Sequence, residues 1–175
     1  MTSTMTSCDV GKLSGVKCDS IRVRDCVEVF QDYKRSAVMF SAISCDWKCC
    51  KEAGRDVCQN MKLTKGEIVV LSFDRALKMV KDSITDAVLF AGLEPLLQAD
   101  ELVQFIEYLR QKGISKPIVI YTGYYPEEIN QETLLRLAKC QVVMKFGRYI
   151  PDRPSRFDEI LGITLASDNQ FGVEY

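Results

Sequence analysis

Histidine is absent from this sequence of 175 residues. Its absence excludes histidine-based zinc sites, Ser–His and Cys–His nucleophilic pairs, and imidazole general bases. Any catalysis by this chain must therefore come from carboxylates, thiolates, lysines or a bound cofactor.

Long apolar runs and a strong net charge are also missing. No stretch approaches the ~20 apolar residues that span a bilayer, and the net charge of -1 gives no general reason to expect a nucleic-acid or membrane partner. Residues 1–15 are rich in Ser and Thr and lack an apolar secretory core, so we expect a cytoplasmic protein. The length favours a loose N-terminal leader, residues 1–20, followed by a single domain, residues 21–175.

Cysteine, by contrast, is abundant, with eight residues. The chain is long enough to bury a core without disulfides, so we predict reduced thiols. Four of the cysteines (Cys45, Cys49, Cys50 and Cys58) follow an apolar run, residues 36–43, that indicates a buried strand. Thiolates on a loop at the carboxyl end of a strand are well placed to hold a soft metal centre.

Apolar strand-like segments alternate with helical patterns along the rest of the chain. The predicted strands are residues 36–43, 68–71, 87–90, 117–121 and 141–145. Ser72 and Asp100 are predicted to cap two helices, and a third helix is predicted over residues 127–139. This alternation is typical of right-handed βαβ units. We therefore predict an α/β fold, an open partial (βα) barrel with a mainly parallel sheet, whose site lies at the carboxyl ends of the strands.

Three further motifs fall at or beyond predicted strand ends: residues 91–95 (Ala-Gly-Leu-Glu-Pro), 121–124 (Tyr-Thr-Gly-Tyr) and 167–170 (Ser-Asp-Asn-Gln). With the cysteine loop before them, their order resembles that of the radical S-adenosylmethionine enzymes. Within that family the chain is most similar to the short activating enzymes of anaerobic ribonucleotide reductase. The resemblance runs from about residue 36 to residue 170.

The resemblance implies a 4Fe-4S cluster held by Cys45, Cys49 and Cys58. The family spacing is Cys-x3-Cys-x2-Cys, whereas this chain has Cys-x3-Cys-x8-Cys, with Glu52 at the usual third position. The loop between the second and third cysteines is therefore about six residues longer than in the family. Cys50 is an alternative to Cys49 as the second ligand, and structural zinc or idle buried thiols are alternatives to the cluster.

The resemblance also implies that S-adenosylmethionine binds the fourth iron and is cleaved reductively to a 5′-deoxyadenosyl radical. Five residues are expected to contact this cofactor. Gly92 and Glu94 would surround the methionyl ammonium, Val57 would pack on the adenine, and Thr122 would meet the ribose or the carboxylate. Asn169 would contact the cofactor or the substrate backbone, or else belong to a solvated terminal turn.

Some residues receive a structural interpretation instead. Trp47 is interpreted as a lid over the cluster. A basic group near the C-terminus is interpreted as a solvated charged face; its members are Lys145, Arg148, Arg153 and Arg156. Cys18 and Cys26 are interpreted as packing or surface thiols, with a second site left open.

By resemblance, the chain would install a glycyl radical on an anaerobic ribonucleotide reductase. Its partners would then be that glycyl radical enzyme and a flavodoxin-like or ferredoxin-like electron donor. One alternative is a radical S-adenosylmethionine enzyme that acts on a small molecule or nucleotide. The other is a non-catalytic zinc or iron–sulfur interaction module.

Overall fold

A computed structural model describes residues 10–175, which form one six-stranded sheet, two small two-stranded sheets and four α-helices. The strands are β1 Ser20–Val23, β2 Asp25–Val29, β3 Ala37–Ser41, β4 Val69–Ser72, β5 Ala87–Ala91, β6 Ile118–Tyr121, β7 Val142–Phe146, β8 Arg156–Asp158, β9 Ile163–Leu165 and β10 Phe171–Glu174. The helices are α1 Lys48–Ala53, α2 Phe73–Asp82, α3 Ala99–Gln111 and α4 Gln131–Lys139. Short 3-10 turns cover Met61–Lys65, Pro95–Gln98 and Pro126–Glu128.

The central sheet has the strand order β10-β7-β6-β5-β3-β2. Strands β3, β5, β6 and β7 run parallel, and β2 and β10 add antiparallel at the two edges. The α/β class is confirmed, the sheet is mixed rather than clearly parallel, and the predicted partial barrel is not confirmed. The reason at one edge is connection length: the residues between β2 and β3 are too few for a parallel crossover, which needs a dozen or more.

The helices largely follow the sequence pattern. Ser72 caps α2 by accepting a hydrogen bond from the Arg75 amide (3.2 Å), as predicted. Asp100 lies in the first turn of α3 and is not its cap, because the helix already begins at Ala99. The predicted helix over 127–139 is divided, since Asn130 accepts hydrogen bonds from two amides and starts α4 afresh after the 3-10 turn.

Both faces of the sheet are covered. On β5, Val88 and Phe90 pack with side chains of α2 and α3, whereas Leu89 points to the other face. That second face packs against Tyr33 and Leu161, which belong to the loop after β2 and to the connection from β8 to β9. Successive side chains of a strand alternate between faces, so one strand supplies both layers of core.

The described part of the predicted leader contacts the domain. Val10 forms an isolated bridge with Ile129, the Ser14 amide donates to Asp100 (3.0 Å), and the Cys18 amide donates to Gln104 (2.8 Å). Residues 1–9 of that leader lie outside the described residues. In the part of the chain that the structure covers, no helix is long and apolar enough to cross a membrane.

Candidate functional site

A cavity of about 520 Å³ lies at the carboxyl ends of the parallel strands. Seven of the eight residues predicted for the cluster and the cofactor line it: Cys45, Cys49, Val57, Cys58, Gly92, Glu94 and Thr122. They come from three loops that are far apart in sequence, after β3, β5 and β6. Because the carboxyl ends of parallel strands meet at one edge of a sheet, the βαβ order brings these loops together.

The short helix α1 contains two adjacent cysteines that line different openings. Cys49 lines the cavity, whereas Cys50 is buried and lines a separate depression on the outer side of the loop, although their sulfur atoms are only 3.9 Å apart. The Val57 amide donates to the Cys50 sulfur (3.4 Å) and holds it in that position. The predicted second ligand is therefore the cysteine of this pair that lines the cavity.

Trp47 does not cover the cavity. Trp47 lines the outer depression beside Cys50 and is not among the residues that line the cavity, so its interpretation as a lid over the cluster is not supported. Its backbone takes a left-handed conformation (φ 59°) at the start of α1. A sequence pattern does not reveal this conformation, which is uncommon for residues other than glycine.

The chemistry of the donor set fits an iron–sulfur cluster. Backbone amides donate to the sulfurs of Cys45 and Cys58, from Trp47 and Asn60 respectively (3.4 Å each). Burial raises the pKa of Cys45 to about 11 and that of Cys49 to about 12. These thiols therefore need a cationic centre to become thiolates, and its binding would release protons.

Among residues 10–175, no three His, Cys, Asp or Glu side chains lie close enough together to share a single metal ion. A 4Fe-4S cluster is held by separate thiolates that ligate different irons. In the described part of the chain, Cys18, Cys26 and Cys140 are free thiols that do not line the cavity.

Glu94 lies in the protein interior at the end of the Gly-Leu-Glu turn. Its Oε1 accepts hydrogen bonds from Thr122 Oγ1 (2.9 Å) and the Leu96 amide (3.1 Å), and its Oε2 accepts one from the Gly123 amide (2.9 Å). Burial raises the pKa of Glu94 to about 7 despite these three donors, which act to lower it. A cation in the cavity would favour the carboxylate form.

Gly92 joins this turn to the cysteine loop. Its φ of +83° favours glycine, and a Cβ at this position would lie 3.1 Å from Ser41 and from Leu63. Its carbonyl accepts a hydrogen bond from Asn60 Nδ2 (2.8 Å). Leu93, which stands where the family has a second glycine, is buried and also lines the cavity.

The basic group near the C-terminus is divided between the surface and the interior. Arg153 and Arg156 are exposed and pair with Asp168 and Asp158. Lys145 instead lines the cavity, and its Nζ donates to the Gly147 carbonyl (2.8 Å). Burial lowers the pKa of Lys145 to about 8, while Glu94 acts to raise it.

The interpretation as a solvated face is therefore wrong for Lys145 and Arg148. Strand alternation contained the signal for Lys145, because its neighbours Met144 and Phe146 both pack on the helical face. Arg148 is buried because it pairs with two glutamates of different loops.

Arg148 anchors the cysteine loop. It donates to Glu52 of α1 (2.8 Å) and, through both terminal nitrogens, to Glu128 (2.8 and 2.9 Å). Lys48, also in α1, pairs with the same Glu128. Burial acts to raise the pKa of Glu128, but the hydrogen bonds from Arg148 and Lys48 bring it down to about 2.

The last predicted residue, Asn169, does not line the cavity. Its Nδ2 donates to Tyr125 Oη (2.8 Å) and to the Arg148 carbonyl (2.7 Å). Its neighbour Gln170 does line the cavity, and its Nε2 donates to the Gly147 carbonyl (3.1 Å). The contact of Asn169 with the cofactor or the substrate backbone therefore stays a prediction.

Comparison with known proteins identifies a family and one relative. The family described as a 4Fe-4S single cluster domain matches residues 35–164, which is most of the chain. A protein of Methanocaldococcus jannaschii, provisionally named a glycyl-radical enzyme activating enzyme, is 28% identical over 120 residues. That match covers 66% of this chain and 46% of the relative, so the chain spans about half of the relative's length. No solved structure matches the chain.

Proposed function

Because this chain belongs to the 4Fe-4S single cluster domain family, we propose that it is a radical S-adenosylmethionine enzyme. It binds a 4Fe-4S cluster through Cys45, Cys49 and Cys58 and cleaves S-adenosylmethionine reductively to a 5′-deoxyadenosyl radical. One observation carries the proposal: the three thiols and the buried carboxylate of Glu94 line the same cavity. When bound, the cluster supplies the electron for this cleavage and an open iron for the methionyl group.

The residues around the cavity have distinct roles in this proposal. Glu94 accepts hydrogen bonds from the methionyl ammonium, for which its burial and fixed donors pre-orient it. Thr122 holds Glu94 rather than the cofactor, because its hydroxyl donates to Oε1. Val57 packs against the adenine, and Gly92 lets the backbone approach the ligand. Gln170, rather than Asn169, faces the ligand from the C-terminal side.

The proposed target is a glycine of a glycyl radical enzyme such as an anaerobic ribonucleotide reductase. The provisional name of the Methanocaldococcus relative supports this class of target. A soluble one-electron carrier of the flavodoxin or ferredoxin type would supply the electron.

One observation favours a second candidate, in which the substrate is a small molecule or nucleotide. Tyr149, Ala166 and Gln170 line the cavity, so the C-terminal segment forms one of its walls. That segment also covers the second face of the sheet. Such a wall restricts the space for a protein loop and would suit a small substrate, because enclosure shields a reactive intermediate.

Electron paramagnetic resonance separates these candidates. Anaerobic mixing of the reconstituted protein, S-adenosylmethionine, a reductant and an anaerobic ribonucleotide reductase should produce a glycyl doublet that disappears in Cys45→Ala. Cofactor cleavage that a small molecule stimulates, without a doublet, would favour the second candidate. A protein that binds zinc, or a cluster that dithionite does not bleach, would instead be an interaction module.

A further inference from the structure

The cysteine loop has an outer side that the proposed chemistry does not use. There, an open depression of about 410 Å³ is lined by Trp47, Cys50, Lys51, Gly54, Arg55, Asp56 and Met61. It shares no lining residue with the cavity that holds the predicted ligands. The depression is therefore separate from the cavity.

Only a thin wall separates the outer depression from the cavity. Cys50 lines the depression, and its sulfur lies 3.9 Å from the sulfur of Cys49, which lines the cavity. Trp47 makes a second link, because it lines the depression while its amide donates to the Cys45 sulfur (3.4 Å). Electron transfer slows steeply with distance, so this is a short route from the surface to two predicted cluster ligands.

The additional residues of the cysteine loop build this depression. The spacing from Cys49 to Cys58 is about six residues longer than the family pattern, and the added length falls within residues 50–57. Lys51, Gly54, Arg55 and Asp56 all belong to that stretch and all line the depression.

The surface around the depression is basic, although the whole chain has a net charge of -1. Lys51 and Arg55 are exposed at its rim, and Lys62 and Lys65 are exposed in the adjoining 3-10 turn. None of these four cations forms an ion pair within residues 10–175. Among the nearby acidic groups, Glu52 is bound to Arg148, whereas Asp56 at the rim and Glu67 beyond the 3-10 turn are exposed.

We propose that the outer depression is the docking surface for an acidic protein that carries one electron on a low-potential flavin or iron–sulfur centre. This inference rests on the proposed function, since only a redox cluster needs such a donor. The carrier is oxidised by one electron and the cluster is reduced by one, with no bond made or broken in the transfer. The cavity then remains free for S-adenosylmethionine and the target.

Charge complementarity supports this occupant. Redox partners meet through small, transient interfaces, and opposite charges at the rim of such an interface mainly raise the association rate. Four unpaired cations beside a thin wall suit an acidic carrier. A basic or neutral partner would gain nothing from them.

The test compares two double variants that carry the same change in charge. Lys51→Glu/Arg55→Glu alters the rim, whereas Lys112→Glu/Lys139→Glu alters exposed lysines at the ends of α3 and α4. Each of these helices leads into the amino end of the next strand, so the control lysines lie at the end of the sheet away from the cavity. An acidic flavodoxin serves as the probe, with binding measured by calorimetry and cluster bleaching followed by stopped flow.

The rim variant should associate with reduced flavodoxin about ten-fold or more slowly at low salt, and the difference should shrink at high salt. The control variant should match the wild type, and excess dithionite should bleach all three proteins to the same extent. Equal flavodoxin binding and bleaching by the rim variant and the wild type would overturn the proposal. So would a loss of the glycyl doublet under dithionite with flavodoxin binding intact, since the surface would then dock the target.

If the rim variant loses iron, Lys51→Gln/Arg55→Gln replaces it. This variant should also associate with reduced flavodoxin more slowly than the wild type, by a smaller factor. One result would distinguish failure of the proposed function from failure of the docking proposal. A wild-type protein that flavodoxin reduces, but that does not cleave S-adenosylmethionine, would refute the proposed function and leave the docking surface supported.

Discussion

Thr122 Oγ1 donates a hydrogen bond of 2.9 Å to Oε1 of Glu94 in the interior of the protein. The two residues lie at the ends of neighbouring parallel strands, β6 and β5. Through this bond and the Gly123 amide, the loop after β6 fixes the carboxylate that the loop after β5 presents. Thr122 therefore helps to orient the Glu94 carboxylate within the cavity that both residues line.

Replacing Glu94 with glutamine should weaken S-adenosylmethionine binding and leave iron content unchanged. A charge-assisted hydrogen bond contributes ~1.5–3 kcal/mol, so the dissociation constant should rise about ten- to a hundred-fold. Anaerobic equilibrium dialysis measures the affinity, and Thr122→Val should produce a smaller change in the same direction. Wild-type affinity in Glu94→Gln would show that Leu93 has displaced the motif from its expected role.

Glu94 should also make the stability of the ligand-free protein depend on pH. Its pKa is raised by burial from 4.5 to about 7, so between these values the folded protein binds more protons than the unfolded chain. The contribution of Glu94 to stability is therefore fully present below about pH 4.5 and is lost as the pH rises through 7. In urea titrations, Glu94→Gln should lose less stability than the wild type between pH 5 and pH 7.5, by about 2 kcal/mol. Identical pH profiles would refute the raised pKa.

Alanine substitutions should distinguish the cysteines of the loop that bind the cluster from the one that does not. Cys45→Ala, Cys49→Ala and Cys58→Ala should each lose most of the iron after anaerobic reconstitution, because their thiols line the cavity. Cys50→Ala should retain it, because Cys50 lines the outer depression. Iron and sulfide analysis measures the result. Retention of iron in Cys49→Ala together with its loss in Cys50→Ala would exchange the two assignments.

Arg148→Met should destabilise the protein strongly. The substitution leaves the Glu128 carboxylate, whose side chain is 13% exposed, with Lys48 as its remaining ion-pair partner. Breaking a buried pair from one side costs about 3 kcal/mol or more. Arg153→Met is the matched control, because its pair with Asp168 is exposed and should contribute less than about 1 kcal/mol. Similar urea midpoints for the two variants would contradict the anchoring role of Arg148.

Local sequence patterns predicted the features that depend on neighbouring residues alone. The buried face of α2 and its Ser72 cap follow from helical spacing and capping chemistry. The meeting of Cys49, Glu94 and Thr122 in one cavity follows from the geometry of parallel strands, once the βαβ order is known.

The features that sequence analysis missed depend on tertiary packing. β10 pairs antiparallel with β7 at one edge of the sheet, but its four residues carry no distinctive periodicity. Lys145 is a partly buried cation that lines the cavity, whereas composition alone would place it on the surface. Trp47 lines the outer depression and has a left-handed backbone conformation that no sequence pattern indicates. In each case the structure depends on a partner that is far away in sequence or on a local backbone conformation.

The most direct test of the central claim is the formation of 5′-deoxyadenosine by the anaerobically reconstituted protein. With excess dithionite and S-adenosylmethionine, the nucleoside should accumulate in the wild type and in Cys50→Ala, and should be absent in Cys49→Ala. Chromatography with mass detection quantifies it against the iron content of each protein. A wild-type protein with a complete, reducible cluster that yields no 5′-deoxyadenosine would contradict the assignment of radical chemistry to this cavity.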